Sequence, residues 1–292
     1  MEVIVAGYNK TALDNLSPEI ISASYARTSR DSRSIPEIRE DAKLDIEKAR
    51  KSNTNIVYGI GHSTIAEHVV FNIDIIGVSR FLVEEIESHR LTSYTEKSQR
   101  YALFNGDYTV PKELNEEDKK EFIRIIERQN KFYNESYPIL LEYFKKENPE
   151  KYKSDPKTVE GWAKEDARYI ISLATQTQLG MTISARNLEL MIRRLKACPF
   201  EEHKELADKL YNSVYSITPS LFPYTEPTEL EIRNKKRQFK KNVDHHFSEN
   251  EDCELIFDNQ SRDEILGSYI GYGYHNLDFL RGMKSFDSAP RE

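Results

Sequence analysis

Between Ser88 and Tyr101 the sequence reads SHRLTSYTEKSQRY, a run that gathers two guanidinium groups, one imidazole, five serine and threonine hydroxyls and two tyrosines. Ser93, Thr95 and Ser98 offer hydroxyl donors, Arg100 offers a planar fork of N–H groups, and loop amides add more; such a set suits a phosphate or another bound anion. Glu96 is placed to hold one of the basic groups. His89 and Arg90 fall where a helix should end, and a cation at a helix C-terminus is favourable by about 0.3–1 kcal/mol without any ligand. The residues alone therefore leave two readings open, an anion site or a salt-bridged loop.

Two other places carry residue types with chemical potential. His62, Glu67 and His68 have metal-ligating side chains, but the spacing of the two histidines puts their rings on different faces of a helix, so no shared metal site follows. Cys198 has Lys196 nearby as an activating cation and nothing else that marks a reactive thiol, so a buried or helix-end cysteine is the simpler reading.

The elements that must position these residues are mostly helical. Val3 to Ala6 reads as a short strand, followed by a helix capped by Ser17 with Pro18 at its first position. The segment from Ser34 to Asn53 reads as one surface helix. Val69 to Ile76 is the clearest strand, with Val69, Phe71, Ile73 and Ile75 on one face and Val70, Asn72, Asp74 and Ile76 on the other. Gly77 punctuates it, and Val78, Phe81, Leu82 and Ile86 then recur at helical spacing, so Ser88 to Tyr101 should be a helix end and the loop beyond. Glu116 to Lys146 reads as a long helix kinked or interrupted at Pro138, and Pro149 to Pro156 as a polar connector. Three helices are expected between Val159 and Thr218, the middle one with Leu188, Met191, Ile192 and Leu195 as its buried stripe. A soft boundary near Tyr224 divides residues 1–223 from an extension, 224–292. The extension's basic run (Arg233–Asn242) and acidic run (Ser248–Glu254) read as solvated faces, and its Tyr269, Tyr272 and Tyr274 as packing.

The 42 Lys+Arg set against 49 Asp+Glu leave a net charge of −7, which argues against a general nucleic-acid or anionic-membrane binder and makes any anion site a local one. Cys198 and Cys253, far apart, form neither a disulfide framework nor a zinc set. No stretch approaches the length of an apolar span. A cytoplasmic protein is expected.

The spacing His-Arg-x-x-Ser-x-x-Glu-x-Ser-x-Arg-Tyr, met by His89, Arg90, Ser93, Glu96, Ser98, Arg100 and Tyr101, resembles the signature of the flavin-dependent thymidylate synthases. YARTSR (25–30), GHSTIAEHVVFNIDI (61–75) and ARYIISLATQTQLGMTISARNLELMIRRL (167–195) resemble further elements of that family in the same order, so the likeness runs from about Ala23 to Pro219. It implies an α/β (α+β) fold, helix-rich, with a small mixed sheet and a long helical region, in a homotetramer whose active sites form between subunits. It also implies FAD as cofactor, NADPH and methylenetetrahydrofolate as co-substrates, and transfer of a one-carbon unit to C5 of dUMP without a protein nucleophile, which leaves Cys198 no catalytic part.

Carried over position by position, the resemblance assigns His62, Thr64, Glu67, His89, Arg90, Glu96, Ser184 and Arg186 to the flavin. It assigns Glu85, Ser98, Gln99, Arg100 and Arg168 to the nucleotide, with Arg90 and Arg100 stabilising charge during the reaction. Four positions depart from the pattern: Ser88 for an arginine, Glu85 for a glutamine, Ser184 for an asparagine and Leu195 for an arginine that reads the pyrimidine. These departures open a second reading, a diverged non-catalytic paralogue that binds a nucleotide or flavin with altered base preference.

Overall fold

The computed structural model describes residues 1–247 apart from Leu13, Phe104 and Asn105. Cys253, the acidic run and the Tyr269, Tyr272 and Tyr274 cluster lie outside the described residues. The described residues divide into two compact units, one made of Met1–Gly77, Glu84–Glu96 and Gln178–Lys235, the other of Val78–Val83, Lys97–Thr177 and the described residues from Lys236.

The first unit is built on a four-stranded sheet in the order β1 (Glu2–Tyr8), β2 (Val70–Ser79), β4 (Gln176–Ser184), β3 (Thr92–Glu96). β1 pairs antiparallel to β2, with Val3 opposite Ile75, and β3 antiparallel to β4, with Thr92 opposite Ile183. The N–H of Ala185 donates to the carbonyl of Val69 at 2.8 Å and Asn72 Nδ2 to Thr182 Oγ1 at 2.8 Å, so β2 and β4 are antiparallel as well. The α/β, helix-rich class holds, but the sheet is antiparallel where a mixed one is expected. On β2 the expected alternation is followed closely: Val69, Phe71, Ile73 and Ile75 are fully buried. Gly77 does not end the strand. It takes a positive φ of 71° that a side chain would resist, and the strand continues through Val78 to Ser79.

Helix α1 (Pro18–Thr28) starts as expected, with Ser17 accepting from the N–H of Glu19. The single surface helix expected over 34–53 is two helices, α2 (Ile35–Lys43) and α3 (Ile46–Thr54). Asp45 breaks them by accepting from the N–H of Lys48 at 2.9 Å, an N-cap bond that competes with helix continuation. Below α1 the buried Glu19 carboxylate takes Arg50 Nε at 2.7 Å and Ser220 at its N–H (3.0 Å) and hydroxyl (2.6 Å), tying α1, α3 and the Pro219–Leu221 turn together. Helix α4 (Arg80–Glu87) begins later than the apolar spacing suggests, because Val78 belongs to the strand. Helix α8 (Ala185–Ala197) buries Leu188, Met191, Ile192 and Leu195 completely and packs on α9 (Glu201–Tyr215), which also lies against β1.

In the second unit α5 (Glu116–Glu147) runs without interruption through Pro138. The expected connector contains a short helix, α6 (Pro149–Ser154), and α7 (Pro156–Ala167) packs along α5. The first of the three helices expected after Val159, read from the sequence over 160–178, ends at Ala167, and Gln176 onward is strand. Helix α10 (Glu229–Phe247) starts inside the expected extension.

Candidate functional site

Three segments of the first unit meet around the start of α8. Ser184 ends β4 and caps α8, its hydroxyl accepting from the N–H of Asn187 at 3.4 Å. The Ala185 bond to Val69 brings in the segment His62–His68, whose last six residues form a 3-10 turn, and Asn187 Nδ2 donates to the carbonyl of Leu91 at 3.2 Å, bringing in the turn after Arg90. Arg186 Nη1 forms an ion pair with Glu67. His62, Thr64, Glu67 and Arg90 are all exposed on this cluster, and Arg186 is partly so. Of the residues expected at the flavin, these five and Ser184 are thus gathered by direct contacts or chain adjacency, and Glu96 closes β3 opposite Leu179. Asn187, the tie between two of the segments, was not singled out from the sequence; its place one residue after Arg186 was the available signal.

His89 is arranged differently. It is buried, and its Nδ1 lies 3.1 Å from the carbonyl of Glu85 and 3.2 Å from that of Ile86. Carbonyls only accept, so Nδ1 carries the proton. Burial lowers the imidazole pKa, with the cation of Arg194 adding to the effect against the opposing influence of Glu85. The expectation of a helix-end cation is corrected here: neutral His89 donates to the orphan carbonyls of α4, as Tyr94 Oη does to Ile86 (2.7 Å) and His89 (3.0 Å). The loop expected beyond it is corrected too, since Thr92–Glu96 is strand β3.

Glu85 is largely withdrawn from solvent. Lys235 Nζ of α10 sits 2.7 Å from its Oε1, with the two side chains 17% and 12% exposed. The basic run read as a solvated face therefore contributes one cation to the interior of the first unit. Cys198 caps α8 and is buried; desolvation first, then the Glu85 charge, push its thiol up to about 12. A thiol that holds its proton so firmly is not a nucleophile. Leu195, at the position where an arginine is expected, is fully buried.

The second unit holds four of the five residues expected at the nucleotide, Ser98, Gln99, Arg100 and Arg168. Arg100 Nε lies 3.3 Å from Glu165 Oε2, and Arg168 Nη2 lies 3.8 Å from Glu165 Oε1. Two guanidinium groups 68 positions apart in sequence thus converge on one carboxylate, and Arg100 is half exposed. Ser98 Oγ accepts from the N–H of Arg100 at 3.2 Å, fixing the turn, and Lys164 Nζ reaches the carbonyl of Tyr101 at 3.3 Å. Ser98 and Gln99 line a neighbouring cavity of about 40 Å³ with Tyr133, Thr175 and Gln176, room for a water rather than a nucleotide. Glu165 was missed from sequence although it stands three residues before Arg168 on a helix, the spacing at which opposite charges meet. Among the described residues no three metal-ligating side chains come together, and no helix is long and apolar enough to cross a membrane.

The comparisons with known proteins agree on one family. The model for thymidylate synthase complementing protein matches residues 12–220. A flavin-dependent thymidylate synthase of Clostridium tetani is 30% identical over 216 residues, covering 72% of this chain and 83% of that protein. Another, from Geobacter sulfurreducens, is 28% identical over 210 residues, covering 70% and 81%. Among solved structures, the UMP/dUMP methylase PolB of Streptomyces cacaoi, bound with 5-Br dUMP, shares the fold with a TM-score of 0.55 at 19% identity, covering 76% of this chain and 92% of that one. With nearly all the residues from the early Ala-Arg element to the turn after α9 inside the match, the chain belongs to the thymidylate synthase complementing protein family.

Proposed function

We propose that this chain is a flavin-dependent thymidylate synthase-like enzyme, transferring a one-carbon unit from methylenetetrahydrofolate to C5 of dUMP or a related pyrimidine deoxynucleotide. FAD is its cofactor and NADPH its reductant, and the working form is a homotetramer. The observation that carries the reading is the convergence of Arg100 and Arg168. Their shared Glu165 holds two forks in one orientation, and a phosphate monoester, with more acceptor oxygens and more charge than a carboxylate, competes well for them.

The residues around the start of α8 fit a flavin dinucleotide. Arg90 and Arg186 supply permanent positive charge, His62 and Thr64 supply exposed donors, and the first N–H groups of a 13-residue helix point where a pyrophosphate is stabilised. Bound there, the flavin supplies hydride to the reaction. The chain's own part is electrostatic: Arg90 and Arg100 stabilise negative charge that develops on the base or is held on the phosphate, and the turn pinned by Tyr94 and His89 keeps Arg90 in place. His89, being buried, serves this reading as a positioning residue rather than a flavin contact.

A second reading, a nucleotide- or flavin-binding paralogue without the reaction, is favoured by Glu85 and Leu195. Glu85 is committed to Lys235, and buried Leu195 offers nothing to a uracil oxygen. Tritium release from C5-labelled dUMP, in the presence of methylenetetrahydrofolate and NADPH, separates the two. Release supports the enzyme; tight nucleotide binding with no release supports the paralogue. Arg100→Ala should weaken dUMP binding by about tenfold or more, the loss of one charge-assisted contact, while the yellow flavin absorbance stays. Unchanged dUMP affinity in that variant would remove the ground for the reading.

A further inference from the structure

On the first unit, the end of α1 and one face of α3 enclose an open concavity of about 510 Å³, a volume in the range of small-molecule sites. Arg27, Arg30, Lys48 and Lys51 line it, together with the apolar Ala26, Ile56 and Ile60. Among the described residues none of these four cations has an ion pair. Other cations of the same stretch of chain contrast with them: Arg33 takes Asp31 and Asp41, Lys43 takes Asp14 and Glu40, and Arg50 takes Glu19 and Glu47. The one carboxylate that lines the concavity, Asp31, is already engaged by Arg33 through bonds of 2.7 to 3.2 Å; those bonds first, with a weaker pull from the Arg27 charge, which makes no ion pair with it, hold it down at about 2.

Local structure does not account for this arrangement. Lys48 and Lys51 stand three residues apart, where like charges repel. Lys48 is also in the first turn of α3, three residues after the cap Asp45, where the helix dipole disfavours a cation. In a chain of net charge −7, four unpaired cations around one concavity are placed against these costs. A bound polyanion would turn each cost into a gain, and Ile56 and Ile60, which line the same concavity, would cover an apolar or aromatic body attached to it.

We propose that this concavity is a binding site for a ligand carrying a pyrophosphate joined to a planar, apolar body, of the nucleoside diphosphate class. It shares no residue with the flavin and nucleotide positions assigned above and does not depend on that assignment. The test is calorimetric titration of the full chain, saturated with FAD and with dUMP so that the Arg100 and Arg168 forks are occupied, with inorganic pyrophosphate and separately with ADP. Both should bind once per chain, ADP the more tightly, and both should weaken with added salt. The exposed double substitution Lys48→Glu/Lys51→Glu should weaken both by about tenfold or more while circular dichroism and FAD retention stay as in the parent. Absence of binding, equal binding by the variant, ADP no tighter than pyrophosphate, or loss of binding on saturation with FAD would each overturn the proposal. A chain that takes up no FAD is titrated as purified, so failure of the flavin reading and failure of this site remain separate results.

Discussion

His203 on α9 shows how far a single buried group ties stability to pH. It is fully buried, and desolvation, with the Lys235 charge adding, lowers its imidazole to about 3 from an ordinary 6.5. The folded chain therefore keeps His203 neutral over a range in which the unfolded chain protonates it. Stability from this group is complete above pH 6.5, falls as pH drops from 6.5 towards 3, and levels off below that, because the unfolded state binds the extra proton. The expected loss between pH 7 and pH 5 is about 2 kcal/mol. Urea midpoints at the two pH values check it: His203→Leu should lose about that much less stability than the parent over the same interval. An equal pH response in the two proteins would show that His203 is protonated in the fold. His89 acts with the same sign, since its pKa is also lowered by burial.

Among the elements, α10 carries the least expected contact. Breaking a buried ion pair by removing one partner leaves an uncompensated charge and costs about 3–5 kcal/mol, whereas replacing both partners is often nearly neutral. Lys235→Ala should accordingly destabilise the first unit by about 2–4 kcal/mol, a little less than for a fully buried pair. Glu85→Gln in the same chain should return most of that loss. A double-mutant cycle read by urea unfolding tests the coupling; additive effects would mean that the pair contributes nothing. This contact also explains what was legible in the sequence. Strand β2 was plain, because Val69, Phe71, Ile73 and Ile75 recur at period two with Asn72 and Asp74 between them. Strand β4 was not: its buried positions are Thr177, Leu179, Met181 and Ile183, set among glutamines and a glycine after a good helical stretch, so local propensity pointed the wrong way. Strand β3, TSYTE, has a single aromatic and depends on its partner β4 for definition. The signature residues were legible because their spacing is local. What holds them, Glu165, Asn187 and Lys235, comes from other segments, and no periodicity announces a partner 65 to 150 residues away.

Across the molecule, the segment beyond the family match is fastened to the core by contacts in series. The N–H of Tyr224 donates to Glu189 Oε1 at 2.6 Å, relieving a carboxyl whose pKa burial raises. Glu226 pairs with Lys196, Glu231 with Arg193 at 3.1 Å, and Lys235 with Glu85. The two more exposed pairs are worth little by themselves. Among the described residues, the losses that matter on removing this segment are the Glu189 hydrogen bond, at about 1–3 kcal/mol, and the stranded Glu85 charge. Residues 1–223 alone should therefore be less stable by about 3–7 kcal/mol, a fall in Tm of about 6 °C or more for a chain of that length. Glu85→Gln within the truncated chain should recover part of the fall, because it removes the charge that Lys235 neutralises. If residues 1–223 melt with the full chain, the extension is an appendage, and Glu85 is free to meet a ligand as the family resemblance implies. If they melt lower and Glu85→Gln restores them, a helix outside the family match determines whether that carboxylate is available to the site.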